Sequence, residues 1–179
     1  MLMKEAEIKE RKYLPEFVYG SIDGSVTTFA VVAGAIGASL SSQVILILGF
    51  ANLFADGFSM AISNYLSTKS SNELNIRHKL LLNHSKNPLK TGLVTFISFL
   101  IIGFTPLISF VLAIFFPSLD NSRFLYSCIL TGMALLIVGF IKGRIVRKHP
   151  LRAALETFII GGIAAIIAFL IGHLLRGIA

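Results

Sequence analysis

Apolar residues fall into five long runs separated by polar connectors. A bilayer core about 30 Å thick needs about 20 apolar residues in a helix to cross it. Ile22 to Leu40 meets this with Asp23 as its only charge, and Val44 to Leu66 with Asp56 as its only charge. Leu89 to Phe116 forms the third run, interrupted by Pro106 and stopped by Pro117. Phe124 to Ile141 and Leu151 to Leu175 form the fourth and fifth, the last with Glu156 near its start and His173 near its end. The pattern predicts an all-α, polytopic membrane protein with helices at about 22–41, 44–67, 89–116, 123–142 and 151–176. Ser41-Ser42-Gln43 reads as a tight turn, and residues 68–88 as a short polar connector.

Residues 1–19 precede the first run. Eight charges of both signs (Lys4, Glu5, Glu7, Lys9, Glu10, Arg11, Lys12, Glu16) alternate with Ile8, Tyr13, Phe17 and Val18, which suggests an amphipathic helix on the membrane surface, with a frayed cytosolic tail as the alternative for residues 1–10. A secretory signal would pass quickly into an apolar stretch and a small-residue cleavage site, which is not the pattern here.

Composition agrees with lipid as the solvent. Of the 179 residues, 55% are hydrophobic and 14% charged, against about 25% charged in soluble domains. In a soluble protein a net charge of +7 would point to nucleic acid, but here the basic residues sit in the connectors and set topology instead. Lys4, Lys9, Arg11 and Lys12 precede the first run. Lys69, Arg77, Lys79, Lys86 and Lys90 lie between the second and third, and Lys142, Arg144, Arg147, Lys148 and Arg152 between the fourth and fifth. Only Arg123 and Arg176 lie on the other side. Five spans preserve this alternation, whereas four or six break it. The positive-inside rule then places the N-terminus in the cytoplasm and the C-terminus outside or in a lumen.

Ionisable groups inside a membrane are costly, so each one invites a functional reading. Asp23 stands at the mouth of the first helix, where an interfacial cap is an alternative explanation. Asp56 lies too deep for a cap. Asn52, Asp56, Met60 and Asn64 recur every four residues, flanked by Ser59 and Ser63, and form a drifting helical stripe. Carboxylate and amide oxygens suit hard divalent cations, and a thioether adds preference for softer transition metals such as Fe²⁺ or Mn²⁺. A polar packing seam, with Met60 as core filler, is the alternative. A carboxylate at this depth holds a proton or a metal, and that exchange is a physical basis for proton-coupled transport.

Other features carry less. Cys128 is alone, so no internal disulfide framework exists. Glu156 follows Arg152 at helical spacing, which suggests a surface ion pair, and His78 and His84 sit among cations. Gly20-x-x-x-Gly24, Gly139-x-x-x-Gly143 and the Ala164, Ala168, Gly172 series allow close packing within the chain or between two copies. No metalloprotease, phosphate-loop or nucleophile-elbow motif occurs, so soluble-type catalysis and a resident cofactor are not expected.

Tyr19-Gly20-Ser21-Ile22-Asp23-Gly24-Ser25-Val26-Thr27-Thr28-Phe29-Ala30-Val31-Val32-Ala33-Gly34 resembles the first segment of the vacuolar iron transporter family, an Asp-Gly followed by a Phe and a Val-x-Gly. Asn52 to Ser67, with Ser59-Met60-Ala61 and Tyr65-Leu66-Ser67, resembles its second segment, Ser-Met-Ala-x-Gly-Glu-Tyr-x-Ser. The resemblance implies a homodimer moving Fe²⁺ or Mn²⁺ out of the cytoplasm against protons, along a path between protomers lined by Asp23 and Met60. Two departures stand out. Ser63-Asn64 replaces the family's Gly-Glu, although Asp56 stands two turns earlier on the same stripe. The connector also lacks the family's long Glu-rich insert and has Glu73 against five basic residues. A transporter or channel for another small solute, or a non-transporting membrane scaffold, remains compatible with these residues. The short chain suggests a bacterial inner membrane.

Overall fold

The computed structural model describes residues 12–77 and 85–177. Six α-helices and one 3₁₀ turn follow in order: α1 (Leu14–Gly37), α2 (Ser42–Arg77), α3 (Pro88–Gly103), α4 (Thr105–Phe115), the turn Pro117–Ser122, α5 (Arg123–Ile145) and α6 (Pro150–Leu175). Four of them are each long and apolar enough to span a bilayer; α3 and α4, bent by 47° at their break, pass the same test only together, as one broken span or a re-entrant pair.

The bend has a local cause. Pro106 has no N–H to donate to Ile102, so the helical ladder opens there. The Ile102 carbonyl, left without its helical donor, lies 3.4 Å from Ser25 Oγ, which also donates to the Ser21 carbonyl at 3.0 Å; beside the bend, Ser127 Oγ donates to the Pro106 carbonyl at 2.7 Å. Without such partners, open backbone within a bilayer is costly.

Boundaries differ from the sequence expectation at three places. α1 starts at Leu14, with Pro15 in its first turn, so residues 14–19 continue the span; the rest of the expected surface helix, to residue 11, lies outside the described residues. The turn between α1 and α2 falls at Ala38–Ser41, where Ser39 takes a left-handed φ of 58°, and Ser42 already opens α2. α2 then continues to Arg77, because no Gly or Pro interrupts residues 58–77. Its 36 residues span about 54 Å, so its last turns extend well beyond a bilayer core.

α1 is the hub and packs on every other helix. The first half of its buried face is small and polar (Gly20, Ser21, Gly24, Ser25, Thr28), and the second half is small and apolar (Val32, Ala33, Ala35, Gly37). Small residues allow backbones to approach, and each small-residue pair is used inside the chain. Gly20 and Gly24 meet Thr95, Ser98 and Phe99 of α3, Gly139 and Gly143 meet the start of α6, and Gly172 meets Gly34. α6, apolar all round, is mostly exposed, as lipid-facing helices are. Arg152 and Glu156 line one pocket, but no ion pair joins them.

The helix order brings the start of α1, the end of α2, the start of α3, the α5–α6 connector and their basic residues to one end, called here the basic end. Lys12 Nζ donates to the Ser85 carbonyl (2.7 Å), Asn72 Nδ2 to the Lys86 carbonyl (2.8 Å), and Asn87 N to the Tyr13 hydroxyl (3.2 Å).

Candidate cation site

Asp23 and Asp56 lie on neighbouring helices, α1 and α2, within electrostatic range of one another. Each is half-buried; Thr27 Oγ1 donates to the Asp23 backbone carbonyl, but among the described residues neither carboxylate accepts a hydrogen bond or forms an ion pair. Two negative charges in a low-dielectric setting repel, and a shared cation or a proton on one of them relieves the repulsion. Asp23 also faces a groove of about 440 Å³ between α1 and α5, whose lining is apolar except for Asp23, the Lys142 ammonium and Tyr19.

The stripe expected on α2 divides. Successive steps of four residues rotate about 40° around a helix. Leu53, Gly57, Met60 and Ala61 form the buried face of α2. Met60, 9% exposed, packs with Leu53 and Phe99. Asn64 is half-buried and donates from Nδ2 to Thr95 Oγ1 at 2.7 Å; the same hydroxyl donates to the Thr91 carbonyl at 3.0 Å. Asp56 and Asn52 stay on the flank of that face, beside the exposed Ser59 and Ser63. The Asn52 Nδ2 is buried without a partner.

The structure thus sets Asp23 and Asp56 within electrostatic range of each other and leaves Asn52 on the same side of α2 as Asp56. It turns Met60 and Asn64 toward α3. Among the described residues, no three His, Cys, Asp or Glu side chains converge into a closed metal cage. A cation held here would rest on the two carboxylates, completed by amide, hydroxyl or water oxygens or by a second copy of the flank. An ionisable group open to lipid is expensive, so a flank carrying Asp56, Ser59 and Ser63 needs a polar surface against it.

One buried carboxylate escaped the sequence reading. Glu16, in the first turn of α1, is 8% exposed and pairs with Lys86, seventy residues away. No local pattern signals that pairing, although its spacing of seven from Asp23 puts both on one side of α1.

A family model described as the VIT family matches the chain over residues 14–79 and 73–173. Named relatives extend over most of it. A vacuolar iron transporter of Plasmodium berghei is 28% identical across 93% of this chain and 84% of its own length. One of Toxoplasma gondii is 28% identical across 92% and 74%, and a vacuolar iron transporter 1 of Eucalyptus grandis 26% across 93% and 88%. These alignments run over 222–228 positions, more than the 179 residues of this chain, so the relatives carry extra residues. The family match divides at residues 73–79, where the connector begins. The relatives are eukaryotic and named for the vacuole, and they lend no support to the bacterial inner membrane expected from the sequence.

Proposed function

The chain belongs to the VIT family, and on that premise we propose that it carries a divalent transition metal, Fe²⁺ or Mn²⁺, across its membrane in exchange for protons. The observation that carries this reading is the Asp23–Asp56 pair: two carboxylates in electrostatic range on membrane-spanning helices, neither in an ion pair among the described residues. The names of the relatives supply the class of cargo.

The residues then take distinct roles. Asp23 and Asp56 supply anionic oxygens to the ion. Asn52, beside Asp56, supplies an amide oxygen. Met60 stands one turn beyond Asp56, and its three rotatable bonds let the thioether leave the Leu53–Phe99 cluster to contact a soft ion. Asn64, already bound to Thr95, holds α2 in register and keeps its carbonyl oxygen for the path. Protons compete with metal for the same carboxylates, which couples the two fluxes. The basic end faces the cytoplasm in this reading. A homodimer joined along the Asp56–Ser59–Ser63 flank would shield that flank from lipid and bring two carboxylate pairs to one path.

Metal flux into proteoliposomes tests the proposal. Fe²⁺ and Mn²⁺ should cross faster than into empty vesicles, and an imposed pH gradient should change the rate. Flux indifferent to the gradient would remove the proton coupling. Absence of flux for Fe²⁺, Mn²⁺ and Co²⁺ would remove metal transport, and thermal stabilisation by some other solute would redirect the assignment.

A further inference from the structure

Glu16 is a carboxylate with half of its bonding capacity unused. Oε1 accepts from the Lys86 ammonium at 2.7 Å, while Oε2 is buried with no partner. A carboxylate has about four acceptor positions, so the second oxygen is poised toward another donor or a cation. The cation is the more exposed member of the pair, at 31% for its side chain against 9%. Lys86 is therefore the partner with access to solvent, whereas Glu16 is buried.

Fastening the connector does not require this pair. Three neutral or singly charged hydrogen bonds already tie the same segment down, through Ser85, the Lys86 backbone and Asn87. A partly buried ion pair bears a desolvation cost that such a staple would avoid. Placement gives the carboxylate another use. Glu16 precedes Asp23 by seven residues on one side of α1, two turns or about 10 Å along the axis. Glu16, Asp23 and Asp56 thus descend from the basic end into the membrane.

We propose that Glu16 is a second cation-binding group at the basic end, occupied by the tethered ammonium of Lys86 until a divalent cation displaces it on the way to Asp23 and Asp56. This rests on the transport reading for the direction of travel, but not for the binding itself. Displacement exchanges one positive charge for two at a buried carboxylate, so the divalent ion gains electrostatically over the ammonium it replaces. Lys86 sets the metal concentration at which the site fills.

The test uses full-length protein in detergent, with Mn²⁺ binding followed by electron paramagnetic resonance, and the same variants in proteoliposomes. If Lys86 holds the site roughly nine-tenths of the time, Lys86→Gln lowers the half-saturating Mn²⁺ concentration roughly tenfold. Glu16→Gln in that background abolishes the gain. Lys86→Arg, which keeps the charge and should fold where Lys86→Gln does not, retains the wild-type half-saturation or raises it. A lower melting temperature for Lys86→Gln with unchanged Mn²⁺ binding would show a purely structural pair and overturn the proposal, as would Lys86→Arg binding Mn²⁺ more tightly than wild type. Because binding is read without flux, a chain that moves no metal but gains Mn²⁺ binding in Lys86→Gln would defeat the transport reading alone.

Discussion

Asn64 on α2 and Thr95 on α3 are joined by a 2.7 Å hydrogen bond from Nδ2 to Oγ1. The Thr95 hydroxyl passes its own proton to the Thr91 carbonyl, so the bond belongs to a satisfied chain between two spans. Side-chain hydrogen bonds between membrane helices average about 0.6 kcal/mol and reach about 1.7 kcal/mol. Thr95→Val should destabilise the protein by about 1 kcal/mol in a detergent or lipid unfolding titration, and Asn64→Ala by a similar amount. If Asn64 acts chiefly as an α2–α3 tie, Thr95→Val reproduces its stability loss and leaves Mn²⁺ affinity unchanged.

Close approach of α1, α2 and α3 makes a second set of expectations. A Cβ at Gly103 would meet the Gly24 carbonyl and the Leu53 side chain, both at 2.9 Å. The carbonyl is helical backbone and yields little. Gly103→Ala should cost about 1–3 kcal/mol, the usual range for overpacking. Gly162 has open space around it, so Gly162→Ala should be neutral or mildly stabilising. Equal effects at both positions, measured by thermal unfolding in one detergent, would contradict the packing described.

The polar flank of α2 predicts where two copies meet. In a Cys128→Ser background, Ser59→Cys or Ser63→Cys should form a disulfide-linked dimer on mild oxidation in membranes. Ile167→Cys, on the exposed face of α6, should stay monomeric on a denaturing gel. Cross-linking through α6 and none through α2 would place the interface elsewhere.

The spans were legible because lipid tolerates so few polar residues that hydropathy and charge alternation mark each crossing. Pro106 was legible as a break for the same reason, although the Ser127 hydroxyl that bonds its carbonyl comes from α5 and depends on tertiary packing. The end of α2 was less so. Polarity after Leu66 suggests a connector, but a helix that leaves the bilayer becomes polar without unwinding. The candidate site was half legible. Residues spaced by four share a stripe over one step, yet over three steps the drift reaches about 120°. Asn52 and Asp56 therefore stay on the flank while Met60 and Asn64 turn to α3. The proximity of Asp23 to Asp56 and the Glu16–Lys86 pair depend on tertiary packing, which no local pattern records.

The central claim is that Asp23 and Asp56 act together on one cation. A double-mutant cycle on Mn²⁺-dependent thermal stabilisation tests it most directly. A ligand at a hundred times its dissociation constant stabilises the folded state by about 2.7 kcal/mol, which a melting curve resolves. Asp23→Asn and Asp56→Asn should each abolish most of the Mn²⁺-dependent shift. The double variant should lose little more than either one, the non-additivity of residues that share a ligand. Without metal, either single variant should be as stable as wild type or more so, since it removes one of two repelling charges. Losses that add independently, or a Mn²⁺ shift that survives both substitutions in a Glu16→Gln background, would contradict a shared site.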